Sequence, residues 1–129
     1  SALTTYERPV PGWALPFTRM MFFVCLCAIT YFSLVPSGSS TTVAHYDKVQ
    51  HLIGYGGLTG FFALAMPRLS LLSVFLWPSL YGGLIEIAQG SMAYGRTGSF
   101  WDILANMTGA GLAILAWWLC VQSARRFLK

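Results

Sequence analysis

The chain has 129 residues, of which 56% are hydrophobic, 16% aromatic and 9% charged, and its mean hydropathy is +0.61. A soluble domain of this length needs far more charge on its surface, whereas lipid-facing helices need none, so the composition excludes an ordinary soluble globule and indicates a single membrane domain. The net charge of +4 comes from Lys and Arg scattered at segment ends without a basic run, which argues against nucleic acid as a partner.

Residues 1–16 hold Pro9, Pro11 and Pro16 with Gly12, a density that predicts an irregular arm, and Tyr6 and Trp13 suit the headgroup level. The first apolar run, Met20 to Val35, crosses hydrocarbon at about 1.5 Å per residue only if Phe17, Thr18 and Arg19 join it and Arg19 snorkels to the interface. No small-residue cleavage pattern follows, so a cleavable signal peptide is not expected. Pro36, Ser37 and Gly38 stop the run and open a polar loop. His45, Tyr46, Asp47 and Lys48 then announce a second run, Val49 to Met66.

That second run is rich in small residues. Gly56 and Gly60 have the G-x-x-x-G spacing that lets helices approach closely where lipid supplies no hydrophobic drive, so the spacing predicts a central helix or a homo-oligomer seam. Pro67 and Arg68 end it. The third run, Leu69 to Gln89, contains Pro78 as an expected kink, and the fourth, Trp101 to Val121, closes on Trp117, Trp118, Arg125, Arg126 and Lys129. The expected fold is therefore all-α, an integral membrane four-helix bundle over residues 17–129. Cys25, Cys27 and Cys120 all fall in apolar runs, and Cys25 and Cys27 point to different helix faces, which speaks against a disulfide or a zinc site.

Of the 8 Lys and Arg, six (Arg8, Arg19, Arg68, Arg125, Arg126, Lys129) lie on one side of such a bundle and two (Lys48, Arg96) on the other. This bias predicts cytoplasmic termini. Segment order then brings every ionisable candidate to the extracytoplasmic end: Asp47, Lys48 and His51 begin helix two, Glu86 and Gln89 end helix three, Arg96 lies in the turn, and Asp102 and Asn106 begin helix four. Asp47, His51 and Tyr55 share one helix face, as do Glu86 with Gln89 and Asp102 with Asn106, and Gly109 and Ala113 continue the last face as a close-packing seam.

A charged residue at the centre of a span costs about 2.5–3.5 kcal/mol, so such groups face protein or water and mark a site. Asp47 and Asp102 also have a simpler reading as first-turn caps. Glu86 does not, because a carboxylate at the C-terminal end of a helix opposes the dipole and needs a partner, for which Arg96, Lys48 and His51 are at hand.

Asp47-Lys48-x-x-His51-x-x-x-Tyr55, Glu86-x-x-Gln89, Gly95-Arg96 and Ser99-x-x-Asp102-x-x-x-Asn106-x-x-Gly109 together resemble the VanZ-like family of small bacterial membrane proteins. The likeness covers about half of the chain, and its strength lies in the order and spacing of the motifs jointly. It implies a multi-pass protein of the bacterial cytoplasmic (inner) membrane, and the family takes its name from a member associated with resistance to the glycopeptide teicoplanin.

Four readings follow. In one, the pocket binds or modifies an envelope lipid or peptidoglycan-related ligand, with Lys48 and Arg96 pairing an anionic head group and Tyr55 and Trp101 covering its apolar part, while Asp47, Gln89 and Asn106 complete the binding set. In another, the protein is a membrane enzyme with Glu86 or Asp102 as general base, His51 as acid or base and Arg96 stabilising negative charge. A metal version of that enzyme would use His51, Glu86 and an aspartate; the spacing permits it, and no metal ligand or cofactor is assigned. A proton relay lacks titratable groups in the inner halves of the helices. The last reading is a structural inter-helix clasp.

Overall fold

The computed structural model describes residues 8–34, 43–91 and 100–127, apart from the side chains at 43–48, 124, 125 and 127. After a short 3-10 turn at Gly12–Ala14 come α1 (Leu15–Leu34), α2 (Val43–Ala65), α3 (Leu71–Ser91) and α4 (Phe100–Phe127), and the described residues contain no strand. The chain is an all-α membrane bundle. Its polarity is inverted relative to a soluble fold: Phe23, Phe32, Ile53, Trp77, Leu84 and Ile87 face outward, while Thr59, Glu86, Gln89, Asp102 and Asn106 are buried. Only a surrounding of hydrocarbon makes that distribution favourable.

Three stretches are long and apolar enough to cross a membrane: Gly12–Leu34, Leu71–Ser91 and Phe100–Ser123. α2 is not among them, whereas the sequence predicts four spanning helices. The physical reason is its place, since α2 packs against α1, α3 and most extensively α4, and a helix screened by three neighbours has little lipid to satisfy. α1 starts at Leu15, inside the stretch expected to be irregular. Pro16 then falls in the first turn, where its missing N–H would have had no partner in any case. Pro78 is buried within α3, which continues through it.

Close crossing of α2 and α4 depends on glycine. A Cβ on Gly56 would come 3.3 Å from the Gly109 carbonyl oxygen, and one on Gly109 would collide with the Leu52 carbonyl oxygen. The expected seam through Gly109 is thus present. Gly60 is different: a Cβ there would meet nothing within 4 Å, and Gly60 lines an apolar groove of about 370 Å³ with Gly57, Leu64, Ala113, Trp117 and Cys120. Half of the G-x-x-x-G pair is packed, and the other half leaves space.

The C-terminal end of α2 is fastened by the start of the chain. Arg8 is buried, donating from Nε to Ala63 O (2.7 Å) and from Nη2 to Met66 O (2.6 Å), while its backbone N–H donates to Pro67 O (3.0 Å). Thr18 Oγ1 donates to Leu64 O (3.3 Å) and Arg19 Nε to Ala65 O (3.2 Å). The last carbonyls of a helix lack intrahelical donors and sit at the negative end of its dipole, so two guanidinium groups satisfy them and complement the field together. Arg19, expected only to snorkel, is part of this clasp. Burial holds the Arg8 guanidinium below its usual pKa.

Candidate functional site

At the other end of the bundle, the start of α2, the end of α3 and the start of α4 each bring polar side chains inward. α2 contributes His51 and Tyr55, one turn apart, whose rings lie parallel at 6.3 Å between centroids. α3 contributes Glu86 and Gln89, both buried, and α4 contributes Asp102 in its first turn and Asn106 one turn later. Six of the nine candidate residues therefore occupy the interior. α2 begins at Val43, so Asp47 and Lys48 lie in its second turn and Asp47 is not the first-turn cap expected; their side chains are not described, and Arg96 lies outside the described residues.

The centre of the group is His51. Its Nδ1 lies 2.8 Å from Asn106 Oδ1 and 3.9 Å from Glu86 Oε1. An amide oxygen only accepts, so Nδ1 carries the proton that it donates to Asn106. One oxygen of Glu86, one oxygen of Asp102 and one nitrogen of His51 lie within 4.8 Å of one another, and the three residues are only 3%, 5% and 8% exposed.

Why these helices meet here follows from a glycine one turn before Glu86. A Cβ on Gly82 would stand 2.7 Å from Asn106 Nδ2 and 3.0 Å from Tyr55 Cε1, so the missing side chain is what admits the Asn106 amide and the Tyr55 ring beside α3. Gln89 turns the other way, donating from Nε2 to Ser33 O (2.7 Å) and so tying α3 to the end of α1, and Thr30 and Tyr81 bond between the same two helices. Gln89 is therefore a fastener at the border of the cluster. Of the two aromatic residues expected to cover the apolar part of a ligand, Tyr55 is interior and Trp101 is exposed. Glu86, expected to pair with Arg96, Lys48 or His51, has the last of these beside it among the described side chains.

The sequence marks Gly82 as one turn before Glu86 and so as a place of close backbone approach, but its role as the gap that accepts Asn106 is a property of the packed helices. At the other end of the bundle, sequence reasoning missed Arg8 as an anchor. Arg8 lay in a proline-rich arm, and the signal that would have found its partner is Pro67, which ends α2 and leaves its last carbonyls in need of donors.

No family model matches the chain. No solved structure matches it either. It is similar to the NADH-quinone oxidoreductase subunit N of Cutibacterium acnes, with 27% identity over 130 residues covering 95% of this chain and 23% of that protein. The chain thus spans about a quarter of the length of that relative.

Proposed function

We propose that the chain is a VanZ-like protein of the bacterial cytoplasmic membrane, with cytoplasmic termini, whose polar cluster works at the extracytoplasmic end. There it binds or modifies an envelope lipid or a peptidoglycan-related ligand, and contributes to protection against a glycopeptide antibiotic such as teicoplanin. The supporting observation is that His51, Glu86, Asp102 and Asn106, drawn from three helices, are buried together at one end. Replacing a buried ionic cluster by well-packed apolar residues is often neutral or stabilising, so a cluster retained in an apolar bundle is better explained by use than by strength. Asp47, Lys48 and Arg96 belong to the same helix ends by sequence and supply the charge to pair an anionic head group. If the ligand is modified, Glu86 or Asp102 serves as general base and His51, oriented by Asn106, as acid or base.

The test compares Glu86→Gln, His51→Ala and Arg96→Ala for antibiotic protection, protein level and melting temperature. Loss of protection with the fold intact is expected. Loss of protection only in proportion to folded protein, with stability lowered by roughly 1–4 kcal/mol, would instead mark a structural clasp. The similarity to subunit N favours a second reading, in which the chain is a segment of an NADH-quinone oxidoreductase subunit. Membranes lacking the chain would then lose NADH-quinone reductase activity, whereas the envelope reading expects that activity to be unchanged.

A further inference from the structure

We infer that His51, Glu86 and Asp102 form a site for one divalent transition-metal ion, with Asn106 as the residue that positions the histidine. The inference rests on reading the cluster as a working site and names what that site holds. Three side chains from three helices present one ligand atom each within 4.8 Å of one another, and all three residues are more than nine-tenths buried. A tetrahedral ion with bonds of about 2.0–2.2 Å spaces its ligands about 3.4 Å apart, so closing the cluster asks each pair to move in by about 1.4 Å at most. The two carboxylates supply anionic oxygen ligands of the kind a dication takes. One imidazole with two carboxylates selects a transition metal over Ca²⁺ or Mg²⁺, which take oxygen ligands. The thiols are not involved, as Cys25 and Cys27 lie on α1 and Cys120 lines the apolar groove.

Two further groups point to a ligand. Asn106 and Tyr55 are each 1% exposed, and neither Asn106 Nδ2 nor the Tyr55 hydroxyl has a hydrogen-bond partner among the described residues. Both border the cluster: Asn106 bonds His51, and the Tyr55 ring lies parallel to that of His51. Three protein ligands leave a coordination position for an oxygen ligand. The His51 bond fits when ligation falls to Nε2: Nδ1 donates to Asn106 and is also the nitrogen 3.9 Å from Glu86 Oε1, so binding turns Nε2 toward the carboxylates. A histidine that ligates a metal through one nitrogen nearly always donates its other N–H to an oxygen, and loss of that oxygen typically weakens metal binding by 10- to 100-fold.

The experiment uses the full chain, purified in detergent without a polyhistidine tag and stripped with chelator, and titrates it with Zn²⁺ alone. One Zn²⁺ per chain is expected, with affinity lowered more than about 100-fold in His51→Ala and Asp102→Asn, and about 10- to 100-fold in Asn106→Ala. Variants are compared only where circular dichroism and gel filtration match the parent. A second measurement needs no change to the cluster: the chain has 2 His, so in a His45→Ala background Mn²⁺-loaded protein should show one imidazole nitrogen coupling by pulsed electron paramagnetic resonance. Absence of saturable Zn²⁺ binding, binding that the cluster variants do not change, or absence of the nitrogen coupling each overturns the metal site. The two readings fail separately. Parent protein that binds no ion while its variants lose antibiotic protection refutes the metal and keeps the working site; ion binding lost in variants that still protect keeps the metal and refutes the envelope role.

Discussion

His51 Nδ1 and Asn106 Oδ1, 55 positions apart in the chain, lie 2.8 Å from each other and join α2 to α4 by a buried side-chain hydrogen bond. Asn106→Leu leaves the imidazole N–H without that acceptor, and an unsatisfied buried donor costs about 1–3 kcal/mol. A double-mutant cycle with His51→Phe measured by detergent melting should give a coupling of about 0.5–3 kcal/mol; additive losses would mean that the bond contributes nothing to stability.

The α2–α4 crossing predicts an order among three conservative changes. Gly109→Ala meets backbone that cannot move aside and should destabilise by about 1–3 kcal/mol or more, and Gly56→Ala, at 3.3 Å, by less. Gly60→Ala enters open space and should be neutral or stabilising by up to about 1 kcal/mol. Melting temperatures of the three variants in one detergent check the order.

Adjacent glycines on α3 make a sharper pair. Gly82→Ala pushes on Asn106 Nδ2 and the Tyr55 ring, whereas Gly83→Ala touches nothing within 4 Å. The first should shift the His51 ring proton resonances and lower stability by about 1–3 kcal/mol, and the second should leave both unchanged.

Arg8→Met removes the donors to Ala63 O and Met66 O and should lower stability by about 1.5–3 kcal/mol, the usual scale for hydrogen bonds from a charged group. Arg8→Lys should restore only part of this, because an ammonium lacks the planar fork that reaches two carbonyls at once. Chemical denaturation of the two variants beside the parent gives the comparison.

Orientation is tested by a reporter fused after Lys129. The bias of six cationic residues against two predicts a cytoplasmic reading there. Activity of a periplasmic reporter at the same position would move the cluster to the cytoplasmic face.

Much of the site was legible because charge is conspicuous in an apolar chain: Glu86, Gln89, Asp102 and Asn106 interrupt two hydrophobic runs, and helical spacing places them on inward faces. Their pairing was not legible. Spacing within one helix fixes which residues share a face but carries nothing about which neighbour they meet, so neither the Asn106 bond to His51 nor the turn of Gln89 toward Ser33 could be read. The same limit applies to Gly56 and Gly60, since a repeat of small residues permits close approach at both positions and only the bundle decides that one is filled. For the arm, proline content correctly indicated a break before α1 but concealed that Arg8 is an anchor.

The clasp at the end of α2 bears on how the chain enters the membrane. α2 carries His51, Thr59 and four glycines and is the one long helix without the apolarity of a span, so it has little tendency to partition into lipid by itself. Arg8, Thr18 and Arg19 all precede it in synthesis, and they supply the donors that its last carbonyls require. α1 with its leading arm is therefore synthesised before α2 and carries donors that the end of α2 requires. Biogenesis should then proceed pairwise, with α2 held at the translocon until α1 grips one end of it and α4 seals the face on which Gly56 lies.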